Sequence, residues 1–238
     1  MLLPSGDVDM VRQIAKRGVT ALLTALLGNL GLAAPAIAQF YTIPVAPIVS
    51  EPFGGNLVPV SDGEVVSKWS GVVADIRAES DTLTRCREAA GTCPAAAQKF
   101  LAVIAEGRTR EGRARFGVIN RAINLAIQPV SDLAQWGVPD RWSAPLETFT
   151  TGKGDCEDYA IAKYVALREA GIAEDDLRLV IVRDLTSGED HAIVAARLDA
   201  AWIVLDNRRF VLLEDIQMRG VVPLLMLDHV GANHLTPS

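Results

Sequence analysis

The period of the apolar residues changes once along this chain, and that change limits the fold classes open to it. Before Gly171, apolar side chains recur at helical spacing, as at Phe116, Ile119 and Ile123. After Gly171 they alternate with a period of two, which is typical of half-buried strands. Helices followed by strands predict an α+β fold in which N-terminal helices pack on one face of an antiparallel sheet.

The same patterns give approximate bounds for the elements. Helices are predicted over residues 64–85, 94–108, 111–128 and 155–170, the last one capped by Asp155 and stopped by Gly171. Strands are predicted for the segments LRLVIVRD, HAIVAARL, WIVLD and FVLLE. Residues 39–63 are rich in Pro and Gly and predict an irregular arm, and residues 129–153 predict a loop.

The charge of the chain excludes one class of partner. The 238 residues carry a formal net charge of -6, with a pI near 5.1. No basic stripe is available to replace the counterions of a phosphate backbone, so nucleic acid is not an expected partner. With half of its residues hydrophobic, the chain suits one medium-sized domain together with a processed segment.

Residues 1–38 have the pattern of a secretory signal peptide. A basic stretch precedes an apolar run, and Ala36-Ile37-Ala38 forms a small-residue cleavage pattern. We therefore expect a mature chain that begins at Gln39 and resides in the periplasm, whether translation starts at Met1 or at Met10. A retained membrane anchor is the alternative, because the apolar run approaches the length of a short span.

Export changes how the three cysteines are interpreted, because an oxidising compartment permits disulfides. Cys86 and Cys93 flank a short segment between two predicted helices and are expected to pair. Cys156 is then left unpaired. It is either a buried structural cysteine or a reactive thiol.

The segment GKGDCEDYAIAKY places Cys156 at a helix start, and the strands that follow supply a histidine and an aspartate. A two-residue loop, Asp199-Ala200, would pair Leu198 with Ala201 and put His191 and Asp206 on the same side of a hairpin as diagonal neighbours. The order cysteine, histidine, aspartate suits thiol catalysis, in which Cys156 would be the nucleophile, His191 the base and Asp206 the residue that orients the base. Taken singly, a core histidine and a turn-initiating aspartate are the commoner interpretations of His191 and Asp206.

The segments GDCEDYAIAKYVALREAG, DHAIVAARL and WIVLDN resemble the bacterial transglutaminase-like cysteine peptidases, a family that includes LapG-like periplasmic proteases. The resemblance implies a papain-like, transglutaminase-core domain over residues 64–238, with Cys156, His191 and Asp206 as the catalytic triad. It also implies cleavage of an exported or surface-held protein, such as a large adhesin whose release frees cells from a biofilm.

The resemblance further implies a calcium ion bound by the acids around the cysteine, which here are Asp155, Glu157 and Asp158. Calcium takes several hard carboxylate oxygens, and a dication would offset the penalty that these acids impose on a thiolate. The alternative is that Asp155 and Asp158 only cap the helix.

Two other functional classes stay open at this point. The same triad could transfer an acyl group to an amine, as a transglutaminase or amidase does. The chain could also be a non-catalytic exported binding module with an inert cysteine. For a peptidase the expected partners are a protein substrate and, as a further candidate, a membrane-bound regulatory protein.

Overall fold

A computed structural model of the protein describes residues 50–89, 91 and 93–236. The predicted signal peptide and the first part of the predicted arm, residues 39–49, lie outside the described residues. Within the described ranges, no helix combines the length and hydrophobicity that crossing a bilayer requires.

The helical half of the fold follows the predicted order. The α-helices of the described residues are α1 (Glu64–Glu88), α2 (Ala95–Arg108), α3 (Gly112–Ala126), α4 (Asp132–Trp136), α5 (Pro145–Thr151) and α6 (Cys156–Glu169). The chain turns out of α6 at Gly171, whose φ of 99° is a left-handed value that glycine adopts readily.

The prediction of a loop over residues 129–153 was wrong. This segment contains α4 and α5, which are too short to show a helical period. Ser131 caps α4 by accepting a hydrogen bond from the Ala134 amide at 3.4 Å, and Pro145 opens α5 with a preset backbone angle.

The strands form one large antiparallel sheet and one small parallel pair. Their bounds are β1 (Asn56–Val60), β2 (Gln128–Pro129), β3 (Lys153–Gly154), β4 (Leu177–Asp184), β5 (Asp190–Leu198), β6 (Ala201–Leu205), β7 (Leu213–Glu214), β8 (Val221–Leu227) and β9 (Ala232–Thr236). The large sheet has the order β1-β9-β8-β4-β5-β6-β7, and β2 pairs with β3. This arrangement confirms the predicted fold class.

Strands at the edges of the sheet differ from the prediction. Residues 56–60 of the predicted irregular arm form the edge strand β1, where Pro59 is tolerated because an edge strand leaves some amide positions unpaired. β8 and β9 were not predicted, and only Leu213–Glu214 of the predicted strand FVLLE pairs as β7.

The apolar residues form two layers, one on each face of the large sheet. The first layer contains the buried side chains of α1, α2, α3, α5 and α6, with Ile161 and Leu167 of α6 fully buried. The second contains Val182, Ile193 and Met226, and no described helix among α1–α6 contributes to it. All the larger helices therefore pack on one face, and α6 is held against β4 and β5 as a rigid support for its first residue.

The predicted disulfide between Cys86 and Cys93 is present. It joins the last turn of α1 to the residues just before α2, with the two Cα atoms 4.9 Å apart. Cys156 is the free cysteine, as predicted.

Candidate active site

Cys156 is the first residue of α6 and is separated from the two-residue strand β3 by Asp155 alone. Gly154 in that strand lies against Asp158: a Cβ atom there would come within 2.6 Å of the Asp158 carboxylate. Only glycine fits so close a contact, and the contact fixes the turn that presents Cys156. At the start of a helix, the positive end of the dipole faces the sulfur.

His191 and Asp206 meet across the β5–β6 hairpin. The register pairs Leu198 with Ala201, as the loop length predicted, and Asp199 in the loop has a positive φ of 55°. His191 Nε2 lies 2.9 Å from Asp206 Oδ1, with both side chains buried. The predicted diagonal contact is thus a direct hydrogen bond.

Asp206 is held as a carboxylate by its surroundings. Burial alone would raise its pKa, but the hydrogen bonds from His191 and the Arg208 amide, with the charge of Arg209, bring the pKa below its ordinary value. Arg209 Nε lies 3.1 Å from Asp206 Oδ2. On α6, burial lowers the pKa of Lys163 to about 7, while the charge of Asp206 acts in the opposite direction.

Cys156 and His191 line one cavity of about 340 Å³, together with Trp142 and Leu225. Nδ1 of His191 is buried and has no hydrogen-bond partner among the described residues. Because Nε2 is hydrogen-bonded to Asp206, Nδ1 is the ring nitrogen that is left to accept a proton. An aspartate-bound imidazole beside a thiol is the arrangement that a thiol nucleophile requires.

The charges around Cys156 oppose a thiolate. Its Sγ donates a hydrogen bond to Glu157 Oε2 at 3.1 Å. Burial and then the negative charge of Glu157 raise the pKa of the thiol far above its usual value. Burial, followed by the charge of Asp155, also raises the pKa of Glu157. A positive charge beside these acids would lower the pKa of the thiol.

Three carboxylates come together at the start of α6, and they are not the three that the sequence pointed to. Asp132, Asp155 and Glu157 each offer an oxygen, and these atoms lie within 4.8 Å of one another. Asp158 is not a member of this group, and its Oδ1 accepts a hydrogen bond from the Ser143 amide at 2.8 Å. Sequence reasoning missed Asp132, which the parallel pairing of β2 with β3 brings near Asp155.

The donor set of this cluster fits calcium. Asp132 Oδ1 and Asp155 Oδ1 are buried and have no hydrogen-bond partner within the described part of the chain. Asp155 is the residue before α6, but its side chain makes no capping hydrogen bond. Buried acceptor oxygens without donors are costly, and a cation bound by hard oxygen ligands would satisfy them.

The family model of the bacterial transglutaminase-like cysteine proteinases matches residues 80–215. LapG of Legionella pneumophila has the same fold: its structure aligns with a TM-score of 0.54 at 19% identity, covering 65% of this chain and 86% of that one. The calcium-bound form of that protein aligns with a TM-score of 0.55 at 20% identity, covering 64% of this chain and 87% of that one. The EGTA-treated form aligns with a TM-score of 0.54 at 19% identity, covering 67% of this chain and 89% of that one.

No curated protein matches the chain. The family model nevertheless spans more than half of the 238 residues and includes both Cys156 and the His191–Asp206 pair. The resemblance read from the sequence is thereby confirmed, and so is the prediction of a cysteine peptidase. The protein belongs to the bacterial transglutaminase-like cysteine proteinases.

Proposed function

We propose that this protein is an exported, calcium-dependent cysteine endopeptidase in which Cys156, His191 and Asp206 form the catalytic triad. The observation that carries the proposal is the 2.9 Å hydrogen bond between His191 Nε2 and Asp206 Oδ1, made by a histidine that shares a cavity with Cys156. It leaves Nδ1 of the ring as the base.

In the proposed reaction His191 moves one proton in each half of the cycle. Nδ1 takes the Cys156 thiol proton as Sγ attacks the carbonyl carbon of the scissile peptide, and the new imidazolium gives that proton to the leaving amine as the C–N bond breaks. Water then attacks the thioester, with its proton passing to Nδ1 and returning to Sγ. The Cys156 amide is positioned at a helix start to donate to the oxyanion.

In this proposal the calcium ligands are Asp132, Asp155 and Glu157, in place of the set with Asp158 that the sequence suggested. Bound there, calcium would supply positive charge that offsets the acids and favours the thiolate form of Cys156. Support comes from the unpartnered oxygens of Asp132 and Asp155 and from the existence of a calcium-bound structure of the related LapG.

The proposed substrate is a periplasmic or surface-held protein such as a large adhesin, and a membrane-bound regulator is a candidate partner. The support is the family resemblance together with the signal-peptide pattern of residues 1–38. The proposed domain limits are a cleaved 1–38, an arm over 39–63 whose residues 56–60 join the large sheet as β1, and a peptidase domain over 64–238. N-terminal sequencing of the exported chain should then begin at Gln39, and a full-length chain in the membrane fraction would contradict export by cleavage.

The test uses the exported proteins of the source cell as substrate. Wild-type protein and Cys156→Ser are incubated with them, each with calcium or with a chelator, and new chain termini are identified by mass spectrometry. We expect new N-termini only with wild type and calcium. Equal cleavage by Cys156→Ser would refute the proposed nucleophile, and crosslinked or deamidated products without new termini would indicate an acyl transferase.

A further inference from the structure

Asp206 lies just beyond the end of its strand. The β5–β6 ladder ends with the pair Val194 and Leu205, so no strand hydrogen bond holds the backbone of the residue that carries the carboxylate. A residue at this place depends on other contacts to keep the bond to His191.

Helix α3 supplies those contacts through two asparagines. Asn124 Nδ2 donates to the Asp206 carbonyl at 3.0 Å and to the Arg209 carbonyl at 3.2 Å. Asn120 Nδ2 donates to the Arg209 carbonyl at 3.1 Å. Because the two residues are four apart, they project from the same face of α3, and together they bind both ends of the turn over residues 206–209.

The same turn determines where the carboxylate points. The Arg208 amide donates to Asp206 Oδ1 at 2.9 Å, and Arg209 pairs with Oδ2 at 3.1 Å. A shift of the turn would therefore move both groups that orient the carboxylate. Small displacements of this kind weaken a directional hydrogen bond steeply.

We propose that Asn120 and Asn124 are positioning residues of the active site, and that they hold the 206–209 turn so that Asp206 keeps its hydrogen bond to His191. The proposal rests on the triad proposed above. Asn120 is fully buried, which is an unfavourable place for an amide unless its donors are used. Here the donors serve the turn and nothing else among the described residues.

The experiment measures the hydrogen bond directly by NMR and needs no substrate. A ring N–H held by a buried carboxylate exchanges slowly with water, so the exchange rate of His191 Nε2–H reports how well Asp206 is placed. The chain has three histidines, and His229→Gln and His234→Gln assign the signal. Asn124→Ala should raise the exchange rate at least tenfold, and Asn124→Asp, which keeps the shape but loses the donor, should do the same.

Gln98→Ala is the matched control, because Gln98 also donates to a main-chain carbonyl, that of Cys93 at 2.7 Å, away from the site. It should leave the exchange rate within twofold of wild type. A wild-type rate in Asn124→Ala, while Asp206→Ala loses the signal, would overturn the positioning role. A slow signal that persists in Asp206→Ala would refute the proposed triad itself. If Asn124→Ala does not fold, Asn124→Asp provides the same test with the side-chain volume retained.

Discussion

The thiol of Cys156 is hydrogen-bonded to Glu157, with Sγ 3.1 Å from Oε2. The candidate nucleophile is thus bound to an acid rather than to its base, and the charge of that acid, second only to burial, raises the pKa of the thiol. Neutralising the charge on Glu157 would therefore lower the pKa of the thiol and favour the activation of Cys156.

Glu157→Gln should make Cys156 more reactive in metal-free protein. Removing the negative charge lowers the pKa of the thiol, and each unit of pKa changes the thiolate fraction about tenfold at a pH below it. With chelator present and at pH about 10, where Glu157 is ionised because burial raises its pKa to about 9, we expect alkylation by iodoacetamide to be at least about tenfold faster in the variant. Glu64→Gln is the control, because Glu64 lines the same cavity without contacting the sulfur; equal acceleration by both variants would contradict a local effect of Glu157.

Asp132→Asn should weaken calcium binding although Asp132 is far from Cys156 in sequence. The substitution removes one of the three clustered carboxylates and keeps the side-chain size. A ligand at a hundred times its Kd stabilises a fold by about 2.7 kcal/mol, so thermal unfolding at increasing calcium measures the affinity. We expect the variant to need at least tenfold more calcium for the same rise in Tm. Asp140→Asn, a nearby and more exposed acid, should behave like wild type.

The raised pKa of Glu79 should make the free energy of unfolding fall as pH rises from about 4.5 to about 7. Its carboxylate on α1 accepts hydrogen bonds from the Leu146 amide at 2.8 Å and the Glu147 amide at 3.2 Å, at the start of α5. Burial raises its pKa from 4.5 to about 7. A raised folded-state pKa gives a contribution that is complete below the unfolded value and is lost as pH rises through the folded value.

The variant Glu79→Gln does not titrate and removes this dependence. Because the side chain is only partly buried, we expect wild type to lose about 1–2 kcal/mol more than the variant between pH 4.5 and 8. Urea unfolding at both pH values measures the difference. Parallel pH profiles for the two proteins would show that Glu79 has an ordinary pKa.

Gly154→Ala should destabilise the fold and disturb the start of α6. The added Cβ would lie 2.6 Å from Asp158 Oδ2 and 2.7 Å from Asp158 Cβ, so backbone must move. Overpacking of this kind costs about 1–3 kcal/mol. Gly71→Ala on α1 is the control, since nothing lies within 4 Å of its added Cβ and alanine favours a helix by about 0.5–1 kcal/mol. A Gly154→Ala protein as stable as wild type would contradict the tight packing.

Local patterns were enough to predict part of the site. The two-residue loop Asp199-Ala200 fixes the register of β5 against β6, and the register brings His191 to Asp206. The helix that begins at Cys156 was predicted from its period and from Gly171. These features depend on neighbours in sequence, which is why periodicity and turn length could reveal them.

The parts that sequence reasoning missed depend on distant contacts. Asp132 joins the acid cluster only because β2 pairs with β3, and each of these strands has two residues, too few to show a pattern. β1 contains Pro59, so its sequence indicated a loop although it pairs with β9 at an edge. β8 is interrupted by a bulge near Pro223, which obscures the alternation of its side chains.

The central claim is that Cys156 forms a covalent bond to the substrate during peptide cleavage, and a quenched reaction tests it most directly. Wild-type protein is incubated with calcium and the exported protein fraction, and the reaction is stopped with acid. The mixture is then digested with trypsin, and the peptide spanning residues 154–163 is analysed by mass spectrometry. The account predicts a peptidyl adduct on Cys156 that hydroxylamine removes, as expected of a thioester, and that is absent with chelator. New N-termini formed without any adduct, or cleavage that persists in Cys156→Ser, would contradict the account.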